Sequence, residues 1–339
     1  MTGRVGLDEH LAQWADGAAD REAVAAAVAA IAVTSVAVAD LIADGSLIDP
    51  STAGVGDTRP TLDFKAHTRF LAALGEVPVA FVGSKEAAEP VVLDEAAPIA
   101  VAIDPLDGLT NIETNVSIGT IFGILPRRAS PAETFAQPGA AQLAAGFVIY
   151  GPRTELVLSL GSGTAIFVLG RKAGRYLLAR DAVRIPAGRR EYAINASNYR
   201  HWTVAVREYV DDLIAGETGP AGGDFNMRWI GSLVAEAYRV LVRGGVFLYP
   251  RDARPDFSAG RLRLVYEANP VAFLIEQAGG AATDGEHRIL DLVPETLHGR
   301  TPLVFGSAEK VARVARYHEA PETAIRESPL FGKRGLFRV

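Results

Sequence analysis

The chain has no cysteine among its 339 residues. That absence excludes disulfides, thiol chemistry and redox control through the chain's own thiols, and an intracellular setting fits it. There is no surplus of positive charge either, since 34 Lys and Arg stand against 40 Asp and Glu for a net charge of −6. Nucleic-acid binders usually present a basic surface, so this balance argues against one. Only short runs such as Arg127-Arg128 and Arg171-Lys172 offer local positive charge. Met1–Asp20 is polar and acidic, unlike a signal peptide, and no apolar run reaches membrane-spanning length free of charge. The expectation is a soluble, cytoplasmic protein with neither nucleic acid nor membrane as partner. Small anionic substrates stay open, because a few arginines and metal ions converging at one place bind phosphate on an acidic protein.

About half of the residues are apolar, and 339 residues suffice for one large core or two adjoining ones, with length favouring two domains. The most informative stretch is Ile99–Leu125, IAVAIDPLDGLTNIETNVSIGTIFGIL. Ile99–Ile103 suits a fully buried strand, and it ends at Asp104-Pro105-Leu106-Asp107-Gly108, where Pro and Gly punctuate the backbone. Charges at the end of a buried strand are costly unless compensated, and closely spaced oxygen ligands are commonly compensated by a bound cation. Asp104, Asp107 and the Leu106 carbonyl make a hard-cation corner. Gly108 permits a sharp turn, and a helical turn opening at Leu109-Thr110-Asn111 presents free N–H groups to an anion such as phosphate. The competing reading of the same residues is a polar turn between two strands.

The remaining chain alternates helical and strand patterns. Arg21–Ala43, rich in Ala and Val, reads as one long packing helix with Gly45 past its end, and Thr52–Thr61 as a loop. Val77–Val82 reads as a strand, and Ala144–Tyr150, Glu155–Leu160 and Ala165–Leu169 as neighbouring antiparallel strands. A second half begins after Arg189 with its own strand at Glu191, giving domains 1–188 and 189–339. Leu262–Tyr266 alternates like a strand and delivers Glu267 just before a helix through Ala278, while Ile289–Val293 and Pro302–Gly306 look like further strands before a polar tail from Pro321.

Three blocks carry a family resemblance. Asp104–Ile112 with Val116–Ile124, then Arg228–Glu236 with Arg243–Pro250, then Gly260–Pro270 with Glu276–Gly280, occur in the order of class I fructose-1,6-bisphosphatase and resemble its signatures. The similarity spans about Gly56 to Ser307. It implies a layered α/β/α/β/α sugar-phosphatase fold, a homotetramer, and Mg²⁺-dependent hydrolysis of a sugar bisphosphate, fructose 1,6-bisphosphate first, as in gluconeogenesis or the Calvin cycle. Sedoheptulose 1,7-bisphosphate is the alternative substrate. In some members of that family the N-terminal helices also house inhibitor binding.

Carried over position by position, the resemblance implies two or more Mg²⁺ ions per subunit held by Asp104, the Leu106 carbonyl, Asp107, Glu267 and Glu86. It implies attacking water oriented by Asp63 and Glu86, and a transferring phosphate met by Asp107, Gly108, Leu109 and Thr110. A distal phosphate would meet Asn195, Arg228, Trp229, Tyr249 and Arg261, with Arg228 reaching across a subunit boundary. Read by themselves, Asp63 suits a helix N-terminus, Asn195 a turn, Glu267 the positive end of a helix, and the arginines a solvated surface.

Several positions depart from the family. Lys85 stands where a metal-ligand glutamate is usual, Thr68 replaces a second aspartate, His67 an asparagine, Leu109 a serine, and Trp229 a tyrosine. An ammonium cannot ligate Mg²⁺ and carries the wrong sign beside it, although it can occupy the space of one cation. Two readings follow: a phosphatase that tolerates the changes, and a catalytically weak sugar-phosphate-binding paralogue.

Overall fold

The computed structural model describes residues 4–44 and 61–319. Gly45, most of the Thr52–Thr61 loop and the tail from Pro321 lie outside the described residues.

An eight-stranded sheet is built from β1 (Val79–Ser84), β2 (Val91–Val92), β3 (Ile99–Asp107), β4 (Ile118–Pro126), β5 (Ala144–Tyr150), β6 (Thr154–Ser159), β7 (Ala165–Gly170) and β8 (Arg175–Arg180). Its order is β2-β1-β3-β4-β5-β6-β7-β8, with β1 and β3 parallel and the remaining pairs antiparallel. A five-stranded sheet follows from β9 (Glu191–Ala193), β10 (Asn226–Met227), β11 (Val246–Tyr249), β13 (Gly280–Thr283) and β15 (Leu303–Ser307), ordered β10-β9-β11-β15-β13. The short strands β12 (Leu262–Arg263) and β14 (Arg300–Thr301) pair with each other.

Helices fill the remaining layers. On one face of the large sheet lie α1 (Leu7–Ala15), α2 (Ala19–Asp44) and α3 (Leu62–Gly75), burying Leu11, Val28, Ile31 and Phe70 against Val101, Ile103, Phe122 and Phe167. After the short α4 (Pro131–Phe135), α5 (Val204–Ile214) packs outside the small sheet. Between the sheets, α6 (Leu233–Arg243) and α7 (Asn269–Gln277) share a core with Ile121, Phe147 and Val157 below and Phe247 and Phe305 above. Finally α8 (Ala308–Glu319) joins α5 through Val311, Val314 and Tyr317. The result is the expected five-layer α/β/α/β/α stack. The period-2 rule explains β3: Ile99, Val101 and Ile103 face the α1–α3 layer, whereas the small Ala100 and Ala102 face Phe135, Val265 and Tyr266.

Two expected strands are not strands. Leu262–Tyr266 pairs only through Leu262 and Arg263, and Leu264–Ala268 closes into a π-helical turn that runs straight into α7. Val265 and Tyr266 are both buried against the β3 alanines, a demand that a widened turn meets and an alternating strand, with its two faces, does not. Ile289–Asp291 is likewise a 3₁₀ turn, whose Ile289 and Leu290 both enter the inter-sheet core. Helix α2 is long and apolar enough to cross a membrane by length and composition, although its charge-free run, Ala23–Ala39, is closed off by Glu22 and Asp40. Ala27, Val28, Ile31 and Val38 on it are buried in the fold.

At Gly119 of β4 the start of α6 approaches the large sheet closely. A Cβ there would overlap the Val148 carbonyl and lie 2.7 Å from the Val234 methyl groups at the start of α6. Gly119→Ala is expected to lower stability in urea unfolding by about 1–3 kcal/mol, because the sheet backbone cannot yield and α6 must back away.

Candidate active site

Two carboxylates three residues apart on a regular strand point to opposite faces. Asp104 and Asp107 do not, because β3 carries a bulge between them: Asp104 pairs with Ile121 and Asp107 with Gly119, so Pro105 and Leu106 together oppose Thr120. Thr120 Oγ1 donates to the Pro105 carbonyl at 2.9 Å, satisfying a group displaced from the ladder. The added residue restores phase. Asp104 and Asp107 emerge on one side, and with Glu267 from the π-helical turn they offer carboxylate oxygens all within 4.8 Å of one another, every residue buried.

Each carboxylate is held by backbone donors. Leu106 N donates to Asp104 Oδ1 at 3.2 Å, and Arg263 N to Glu267 Oε2 at 2.6 Å. Asp107 Oδ2 accepts from Val234 N at 3.4 Å, so the positive end of α6 faces an anion. Burial pushes the Asp107 carboxyl up to about 6, against the pull of Lys85 and the α6 amides. Burial also raises the Asp104 carboxyl, with Lys85 opposing.

Lys85 leaves the end of β1 and enters this cluster. Its Nζ donates to Asp104 Oδ2 at 2.7 Å and to Glu267 Oε1 at 3.0 Å. Burial by itself would lower the lysine's proton affinity, and Asp104, Glu267 and Asp107 more than reverse that, so it stays charged. An all-oxygen, three-carboxylate set suits a hard divalent cation. Asp107 is clear of the ammonium, whereas on the Asp104–Glu267 edge a cation would meet one already in place.

Around this centre the structure sorts the other expected residues. Glu86 is exposed and is not one of the three converging carboxylates. Partial burial and Asp63 raise its carboxyl while Lys85 lowers it, which puts Asp63, in the first turn of α3, beside it. Gly108 takes a left-handed φ of 86°, and Leu109–Asn111 forms the expected helical turn as a 3₁₀ turn with Thr110 exposed. Asn111 Nδ2 donates to the Gly231 carbonyl at 3.1 Å, tying this loop to the residues before α6. Trp229 stacks on Phe247 and meets Tyr249 edge-on, and Arg261 lies over Tyr249 and, 3.4 Å from the centroid, over Phe257. Trp229, Tyr249 and Arg261 therefore form one continuous wall. Asn195 instead caps a 3₁₀ turn, its Oδ1 accepting from Ser197 N and Oγ. Arg228 is exposed, with Nε 3.8 Å from the buried Glu191.

Sequence reasoning missed the supports. His298 Nε2 lies 3.0 Å from the Ala87 carbonyl, so it donates there and its Nδ1 accepts from Tyr266 O–H at 2.8 Å. This joins the Lys85-Glu86 loop to the turn carrying Glu267. Ser84 Oγ accepts from Glu86 N and lies 2.9 Å from His67 Nδ1, and burial lowers the proton affinity of His67. Arg189, Arg239 and Arg243 converge on Glu191 at 2.6, 3.3 and 3.0 Å. Lone histidines and scattered arginines have no spacing that reveals such partners.

A buried β-bulge with paired aspartates, facing a glutamate from the far side of a five-layer α/β/α/β/α stack, defines a carboxylate cluster that could hold a divalent cation. Comparison with known proteins narrows this. Residues 22–181 match the Fructose-1-6-bisphosphatase, N-terminal domain, and residues 185–319 the corresponding C-terminal domain. Fructose-1,6-bisphosphatase class 1 of Bradyrhizobium diazoefficiens is 53% identical over the whole of both chains, and that of Sinorhizobium medicae 58% identical over 84% of this chain and 82% of its own. The solved Leishmania major fructose-1,6-bisphosphatase in holo form superposes with a TM-score of 0.83 at 30% identity, covering 94% of this chain and 99% of that one. The chain belongs to the class I fructose-1,6-bisphosphatase family, whose members imply a divalent metal cofactor and a sugar bisphosphate substrate.

Lys85→Met removes the only ammonium from three buried carboxylates among the described residues. In EDTA the variant is expected to unfold about 3–5 kcal/mol more easily than the parent, and added MgCl₂ to recover part of that loss in the same urea titration. A second expectation concerns Glu191. Burial would raise its carboxyl, but hydrogen bonds and charge from Arg243 and Arg189 hold it at about 2, below its ordinary 4.5. Its contribution is full above 4.5 and is lost as pH falls through about 2. Glu191→Gln should therefore cost about 1.5–3 kcal/mol at pH 7, a gap that narrows steadily in unfolding curves recorded at decreasing pH below 4.5.

Proposed function

We propose that the chain hydrolyses the 1-phosphate of fructose 1,6-bisphosphate, giving fructose 6-phosphate and phosphate with Mg²⁺ as its cation. The observation that carries this reading is the convergence of Asp104, Asp107 and Glu267 beside the 108–111 turn. Asp104, the Leu106 carbonyl, Asp107 and Glu267 would hold Mg²⁺, which when bound supplies Lewis-acid stabilisation of phosphoryl charge. The amides from Gly108 to Thr110 and the Thr110 hydroxyl receive the transferring phosphoryl oxygens, where most catalysis of phosphoryl transfer resides. Asp63 and Glu86 orient the attacking water, and the raised proton affinity of Glu86 suits it to accept the water's proton. Arg228, Trp229, Tyr249, Arg261 and Asn195 serve the distal phosphate and sugar, the Trp229–Tyr249–Arg261 wall offering an apolar face beside a cation. We read residues 1–188 and 189–339 as two domains, and the exposure of Arg228 supports a homotetramer in which it serves a neighbouring subunit.

A second reading is favoured by one observation, the Lys85 ammonium on the Asp104–Glu267 edge: a catalytically weak sugar-phosphate binder. Phosphate release from fructose 1,6-bisphosphate across a wide Mg²⁺ titration decides between them. The phosphatase reading expects release that EDTA abolishes and that Asp104→Asn lowers at least about 100-fold, on the order of 3 kcal/mol. Saturable binding of the bisphosphate without release at any Mg²⁺ concentration would establish the binder instead. Parallel turnover of sedoheptulose 1,7-bisphosphate assigns the preferred sugar.

A further inference from the structure

The buried centre sets a limit on the positive charge it can take. With all three carboxylates ionised, as cation ligands are, three carboxylates and one ammonium leave it at −2, which a single divalent ion neutralises. The geometry agrees with the arithmetic. On the Asp104–Glu267 edge every carboxylate oxygen already has a protein donor: Asp104 Oδ1 takes Leu106 N, Glu267 Oε2 takes Arg263 N, and Asp104 Oδ2 and Glu267 Oε1 share the Lys85 ammonium. A cation placed between these two residues would have to displace an ammonium that is 2.7 and 3.0 Å from its counter-ions and tethered to the end of β1. Asp107 is different. Its carboxylate accepts from the backbone at the start of α6 and makes no contact with Lys85 within hydrogen-bond range among the described residues.

We propose that Lys85 is a built-in cation standing in place of one divalent ion, so that each chain takes a single divalent ion, seated on the Asp107 side of the cluster where the remaining lone pairs of Asp104 and Glu267 still reach it. The side chain is 27% exposed, so it reaches solvent as well as the carboxylates. It serves as a fixed positive group for phosphoryl oxygens, supplying charge without coordination. This function of the ammonium rests on the phosphatase reading, whereas the ion count does not.

The test is a count of Mn²⁺ bound to the metal-stripped chain, from the electron paramagnetic resonance signal of free Mn²⁺ and by calorimetry, with no substrate present. The parent is expected to bind one tight Mn²⁺ per chain. Lys85→Glu is expected to gain a second, since it removes an ammonium and adds a carboxylate on the same edge; Lys85→Arg, which keeps the charge, should still bind one. Two or more tight ions on the parent, or none, would overturn the proposal. So would a folded Lys85→Glu chain, checked by circular dichroism, that binds no more than the parent. Should Lys85→Glu fail to fold, the counts on the parent and on Lys85→Arg still decide. Where turnover is measurable, Mg²⁺ activation of the parent is expected without cooperativity; where there is none, the ion count stands independently of the phosphatase reading.

Discussion

Buried negative charge is the constraint to which this fold answers. Three carboxylates are buried, and each is tolerated only because something positive or polar faces it: an ammonium, a backbone amide, or the start of a helix. The elements that supply these partners come from distant parts of the chain. Lys85 ends β1, Asp104 and Asp107 flank a bulge in β3, Glu267 rides a π-helical turn, and α6 aims its amides at Asp107. The close contact of α6 with the large sheet at Gly119 follows from the same demand, since the amides must reach the aspartate.

The five layers make this convergence possible. Helices α6 and α7 are shared by both sheets, so the small sheet is fixed relative to the large one through a continuous apolar core and not through the polar site alone. The site can then carry unfavourable electrostatics while the layers supply the stability. His298 adds a local brace by bonding the Ala87 carbonyl and Tyr266 together, and the Asn111–Gly231 hydrogen bond does the same for the phosphate-side loop.

Much of this was legible in the residues. The apolar run before Asp104, the Pro and Gly of the turn, the alternation of β5 to β7 and the alanine-rich α2 each obey local rules that tertiary context did not overrule. Leu262–Tyr266 failed because alternation is ambiguous when both faces are buried, and the need to pack Val265 and Tyr266 against small alanines is a property of another strand. The bulge was also invisible: only the pairing of β3 with β4 shows why two aspartates at odd spacing share a face. Lys85 was visible as a departure from family pattern, but its partners, one of them 182 residues away, required the fold. Asn195 illustrates the reverse, since its local reading as a turn residue describes what its side chain does here.

The latch formed by Lys85 has a consequence for the chain's dependence on its surroundings. Because the ammonium comes from the first half and Glu267 from the second, the two halves stay ionically linked whatever the supply of divalent metal. This chain carries a covalently attached counter-ion, so part of the charge that holds its acidic centre together is written into the polypeptide itself.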